Sequence, residues 1–145
     1  MLALTTSTIW VASLHDVWVF ATKADASRAM DVIEGDVYPT CLFDFFDRTT
    51  ALSPAYKATS ISKSFAIPPP AVKAHGDRQV IIGQQIDYSL SAGQTATAVA
   101  VNAYVQVGRA IAFVDPEYLG DTGPDSNVEH TITVSTDALE KVFGK

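Results

Sequence analysis

The sequence predicts a mainly β protein: a single-domain antiparallel β-sandwich or barrel with one or two short helices. Three observations carry that prediction. Between Gln94 and Pro116 the odd positions Val99, Val101, Ala103, Val105 and Val107 are apolar, while their even neighbours include Asn102, Tyr104 and Gln106; this is the period of two that a strand shows. Gln79 to Leu90 alternates in the same way on Val80, Ile82, Ile86, Tyr88 and Leu90, with Gln84 the one polar exception. Ser91, Ala92 and Gly93 lie between the two runs, a turn that makes them antiparallel neighbours.

Taken in order, Leu2 to Phe20 holds two apolar clusters, TIWVASL and DVWVF, separated by His15 and Asp16. They predict two short strands with a turn between them, or a strand and a tight connection, and residues 1–11 are expected to form an apolar N-terminal arm. Trp10 and Trp18 sit among β-branched neighbours, which makes them anchors for a core or an interface. Asp25 to Ile33 places Ala26, Ala29, Met30 and Ile33 at helical spacing, with Asp25 as the expected N-cap and Gly35 at the end. Val37 to Phe46 is rich in aromatics and carries Pro39, a composition that reads as an edge strand or the first residues of a strand. Cys41 lies within that run and is expected to be a buried, inert thiol.

Asp47 to Tyr56 reads as a loop around Ser53 and Pro54. Ser60 to Ile67 alternates again, and Lys63 on its apolar side is the sort of charge that blocks strand addition. Pro68 to Pro70 forces an extended corner. After the long central run, broken at Gly108 and Arg109 into one bulged strand or two bent ones, Asp115 to Asn127 reads as an exposed acidic loop. Tyr118 and Leu119 within it are expected contact residues. Val128 to Val134 alternates and predicts a closing strand, and Asp137 to Phe143 predicts a short terminal helix or a frayed tail.

Composition narrows the function classes. A chain of 145 residues fits one domain. Its net charge of -6 and scattered basic residues argue against a nucleic-acid partner, because phosphate affinity comes chiefly from Lys and Arg. One cysteine cannot make an internal disulfide. No apolar run approaches the roughly 20 residues of a membrane span, and the N-terminus lacks the basic start of a signal peptide, so synthesis in the cytosol is expected. The charged share is only 18%, which leaves a surface suited to protein contact.

The sequence offers little catalytic chemistry. His15, His75 and His130 are isolated, and no metal-ligand spacing joins them to the cysteine. Asp44 and Asp47 form one acidic pair. Asp121, Asp125, Asn127 and Glu129 form a second group in the 115–129 stretch, whose alternating oxygens partly match a calcium loop but lack its glycine and closing glutamate. No catalytic residue, cofactor or metal is assigned, and the chain is expected not to be an enzyme.

The stretch QQIDYSLSAGQTATAVAVNAYVQVG and the closing NVEHTITVSTDALEKV resemble the strands of small virion structural proteins of tailed bacteriophages, of the capsid-decorating or head-tail type. The resemblance covers the C-terminal half. It implies a virion component, made in the host cytoplasm, that binds its own copies and a neighbouring protein such as the major capsid protein. Ala98, Ala100, Asn102 and Gln106 supply a face of small and amide side chains that another subunit can cover. A carbohydrate- or receptor-binding β-sandwich module is the alternative, with the acidic loop and Tyr118 holding a sugar. Trp10, Trp18, Tyr118 and Leu119 are the expected interface residues.

Overall fold

The structure, a computed structural model, describes residues 9–50, 58–67, 72–90, 95–119 and 126–144. In chain order these form β1 (Ile9–Val19), α1 (Lys23–Glu34), α2 (Val37–Thr50), β2 (Ala58–Ile67), β3 (Arg78–Leu90), β4 (Thr95–Val107), β5 (Ala110–Leu119) and α3 (Ser126–Phe143). The strands make one open sheet in the order β1-β5-β4-β3-β2, antiparallel at every pairing. The antiparallel sheet is as expected. Its closure is different: among the described residues helices cover both faces, where the sequence suggested a second sheet or a barrel.

The alternation along β4 explains the layering. Val101, Ala103, Val105 and Val107 pack with Ala110, Ala112 and Val114 of β5 against Ile132 and Leu139 of α3. On the opposite face Tyr104 packs with Val80, Ile82, Ile111 and Phe113 against Ala26, Met30 and Ile33 of α1, with Tyr38, Leu42 and Phe43 of α2 at the margin. Residues 101 to 107 are therefore buried on both sides. Asn102 and Gln106 lie on the α1 side of the sheet, so the amide-bearing face is covered within the chain and not by another subunit.

The first helix forms where its spacing predicts, but Thr22 and not Asp25 caps it. The Asp25 amide donates to Thr22 Oγ1 at 3.1 Å, and the Thr22 amide donates to the Asp25 carboxylate at 3.1 Å. This reciprocal arrangement uses two N–H groups that the first turn would leave open. Met30 and Ile33 then face the sheet together with Ala26, while Arg78 of β3 reaches the outer rim of the helix to pair with Asp31 and Glu34. The Glu34 and Asp31 carboxylates beside it raise the Arg78 guanidinium pKa.

Five expectations are corrected. His15 and Asp16 are not a turn: β1 runs through them, in continuous register with β5 from Ala12 to Val19. Val37 to Phe46 is helical, because Tyr38 and Leu42 stand one turn apart on the sheet side and Pro39 falls in the first turn, where no N–H partner exists within the helix. That helix turns Cys41 outward, so the thiol is exposed. Val128 to Val134 belongs to α3, whose inward residues Ile132, Thr136 and Leu139 recur at helical spacing. The stretch 115–129 is likewise no single loop, since β5 extends to Leu119 and α3 starts at Ser126.

Gly108 and Arg109 form a two-residue turn closing the β4–β5 hairpin, with Val107 paired to Ala110. Several elements converge on it. The Gly108 amide donates to the Asp77 carboxylate at 2.8 Å, and Lys23 pairs with the same carboxylate at 2.9 Å. Gln106 Nε2 donates to the Gly108 carbonyl at 3.0 Å, and Arg109 donates to the Phe20 carbonyl at 2.9 Å. The hydrogen bond from Lys23, followed by that from the Gly108 amide, holds the Asp77 carboxyl below its ordinary pKa. A carboxylate with a depressed folded pKa stabilises the fold above its unfolded pKa and loses that contribution as pH falls through the folded value. The stability difference between the parent protein and Asp77→Asn is therefore expected to shrink as pH drops below about 4. Urea unfolding at pH 6 and pH 3 measures this directly; an unchanged difference would show that the ionised carboxylate contributes nothing.

Candidate protein interface

The sheet ends in two unlike edges. Strand β2 carries Lys63 and has register shifts between Ala58 and Ser60 and between Ile61 and Lys63. Bulges and inward or edge lysines are devices that stop a strand from accepting another. Strand β1 has a single shift, between Trp10 and Ala12, and then runs regularly to Val19 with no Lys, Arg or Pro. Its outer backbone groups have no strand partner among the described residues.

Apolar side chains border this edge on both faces. Val17 and Val19 pair with Ala112 and Ala110 and so lie on the α3 side, yet they stay 53% and 52% exposed because α3 packs over β4 and β5 and stops short of β1. The uncovered strip opens into a groove of about 290 Å³ lined by Val17, Ala112, Val134, Ala138 and Leu139, with Asp16 and Ser135 at its rim. Val134, on the α3 wall, is 54% exposed. On the other face Trp18 is 37% exposed and lies nearly parallel to Phe113, with ring centroids 6.1 Å apart.

Behind Trp18 the aromatic rings form a connected cluster. Phe113 stacks on Tyr104 at 4.9 Å, Tyr38 meets Tyr104 edge-on at 5.6 Å, and the two tyrosine hydroxyls share a hydrogen bond of 2.9 Å. Such ring pairs add about 0.5–1.5 kcal/mol each beyond burial. Trp18 is thus a partly exposed ring resting on a buried aromatic cluster. Two residues before Tyr104 on β4, Asn102 is fully buried, and among the described residues neither its Oδ1 nor its Nδ2 has a hydrogen-bond partner.

The four interface residues expected from the sequence fall in one pair of strands. Trp10 of β1 is in register with Tyr118 of β5, and Ile9 with Leu119, while Trp18 is in register with Ile111 at the other end of the ladder. Tyr118 and Leu119 therefore belong to a paired strand and not to a loop tip. Residues 9 to 11 of the expected arm are the first residues of β1, and residues 1–8 lie outside the described residues. The sequence reading missed Val17, Val19 and Val134. The alternation of Val17 and Val19 was visible, but what leaves them uncovered is the position of α3.

Among the described residues the acidic groups do not assemble into a site. Asp44 is exposed on α2, and Asn127 and Glu129 stand in the first turn of α3, where a helical path replaces the extended alternation that a calcium loop uses. Asp121 and Asp125 lie outside the described residues. Among the described residues no three His, Cys, Asp or Glu side chains converge to hold a metal ion. His75 approaches Thr133 Oγ1 at 3.4 Å, and His130 is exposed on α3. No helix among the described residues is long and apolar enough to cross a membrane. No protein-family model matches the chain, and comparison with curated proteins and with solved structures likewise finds no match.

Proposed function

We infer that this chain is a structural subunit that works by protein–protein contact, and that it serves as a virion component of the capsid-decorating kind. The observation that carries the reading is the open β1 edge, flanked by half-exposed Val17 and Val19 on one face and Trp18 on the other. An open strand edge with apolar borders is the form in which one chain adds to another's sheet. The low charged share of 18% favours the same use of the surface. In a repetitive shell such a subunit needs a contact to its own copies and one to the underlying capsid protein, and the two faces of the β1 region offer distinct surfaces for them.

Absolute molar mass by light scattering over a concentration series tests the self-contact. A closed oligomer of defined stoichiometry is expected. A monomer at every concentration would remove self-association from the reading. Co-sedimentation with assembled capsid shells lacking the protein tests the second contact, and no binding there would remove the decorating role.

A further inference from the structure

The geometry points to a second copy of this chain as the occupant of the β1 edge, paired antiparallel through β1 about a two-fold axis normal to the sheet. This rests on the self-association proposed above and names the surface that performs it. Two-fold axes give isologous contacts, the commonest way identical chains associate. An axis normal to the sheet keeps like faces on the same side. Directly opposed residues then share a face, so their numbers sum to an even value, and both α3 helices rise on one side of a continuous ten-stranded sheet.

Three observations favour a second copy. The first is the contrast between edges: β2 carries Lys63 and two register shifts, whereas β1 runs regularly from Ala12 to Val19. A head-to-tail contact would need β2 as the acceptor, and β2 is the edge built to refuse one. The second is the apolar floor. Val17 and Val19 of the two copies meet on the α3 side and join the two grooves beside Val134 and Ala138 into one apolar trough. The third is size. Eleven residues of strand at about 3.3 Å each make an edge roughly 36 Å long, enough for a continuous backbone ladder between the two copies.

The test places a charge where the two floors meet. Val17→Lys puts an ammonium on a residue already 53% exposed, and Val32→Lys makes the same change on the outer face of α1, where Val32 is 65% exposed. Far-ultraviolet circular dichroism and thermal unfolding check that both variants are folded. The parent and Val32→Lys are expected to be dimers by light scattering, and Val17→Lys a monomer, with at least a tenfold rise in dimer dissociation constant. Amide hydrogen exchange supplies a second readout: alternate amides between Ala12 and Val19 are protected in the parent and exchange at least tenfold faster in Val17→Lys. A parent dimer that Val17→Lys leaves intact, with those amides unprotected, would overturn pairing through β1 while leaving self-association standing. A ring of more than two copies would overturn the two-fold arrangement. A parent that is monomeric at all concentrations would remove self-association and this pairing together.

Discussion

Gly108→Ala is expected to lower the unfolding free energy by about 2–4 kcal/mol. Two costs add. Gly108 has φ +57°, a left-handed conformation that residues with a β-carbon adopt at a penalty of roughly 1 kcal/mol. The new methyl would also stand 2.4 Å from the Phe143 carbonyl oxygen. That oxygen is backbone at the end of α3 and cannot swing aside as a flexible side chain would. Either the hairpin turn or the end of α3 must shift, which would disturb the Arg109 guanidinium lying over the Phe143 ring and the Asp77 contact to the Gly108 amide. Urea denaturation compares the two proteins. A loss under about 0.5 kcal/mol, no more than an ordinary surface change, would mean that α3 does not dock on this turn.

Asn102→Leu is expected to raise stability by about 2 kcal/mol, because a buried amide without partners costs about 1–3 kcal/mol. Asn102 is fully buried in the central strand, and neither amide atom is hydrogen-bonded. Leucine has the same number of side-chain heavy atoms in the same branched shape, so it removes the desolvation cost with little change of packing. Gln106 provides the contrast on the same strand: it is equally buried, but it donates to the Ser27 hydroxyl at 3.1 Å and to the Gly108 carbonyl at 3.0 Å. Gln106→Leu would strand those partners and is expected to destabilise. The midpoint of thermal unfolding should rise by several degrees for Asn102→Leu. A fall of similar size would show that the Asn102 amide has a partner in solution, and a bound water would be the first to seek.

Asn102 also stands where the β4–β5 ladder is interrupted. Register pairs run from Ala98↔Leu119 to Ala100↔Glu117 and resume at Ala103↔Val114. Pro116 falls in the interval and has no N–H to give. A proline in a strand flanked on both sides is unusual, and here it coincides with a residue whose buried amide lacks partners among the described residues. The two departures from regular sheet chemistry are therefore adjacent, on neighbouring central strands.

The sequence by itself determined the elements whose local period and tertiary role agree. Alternation in β3 and β4 and the short stretch of sequence between them predicted two antiparallel neighbours; Ala26, Met30 and Ile33 predicted the buried side of α1. It also named Trp10, Trp18, Tyr118 and Leu119 as expected contact residues, without showing that the strands carrying them, β1 and β5, are neighbours. Tertiary structure decided the rest. In α3 the apolar residues Val128, Ile132 and Val134 alternate, but Thr136 supplies one buried position of the helical stripe. Its hydroxyl is satisfied within the helix by donating to the Ile132 carbonyl at 2.8 Å, so a polar residue concealed the period. In α2 the aromatic run suited a strand on propensity, and packing of Tyr38 against Tyr104 made it a helix. His15 and Asp16 are turn-like in isolation, yet β5 supplies backbone partners that carry the strand through them. Periodicity reports which residues can share a face; which face is covered, and which edge stays open, depends on where the helices come to rest, and that is fixed only when distant segments pack together.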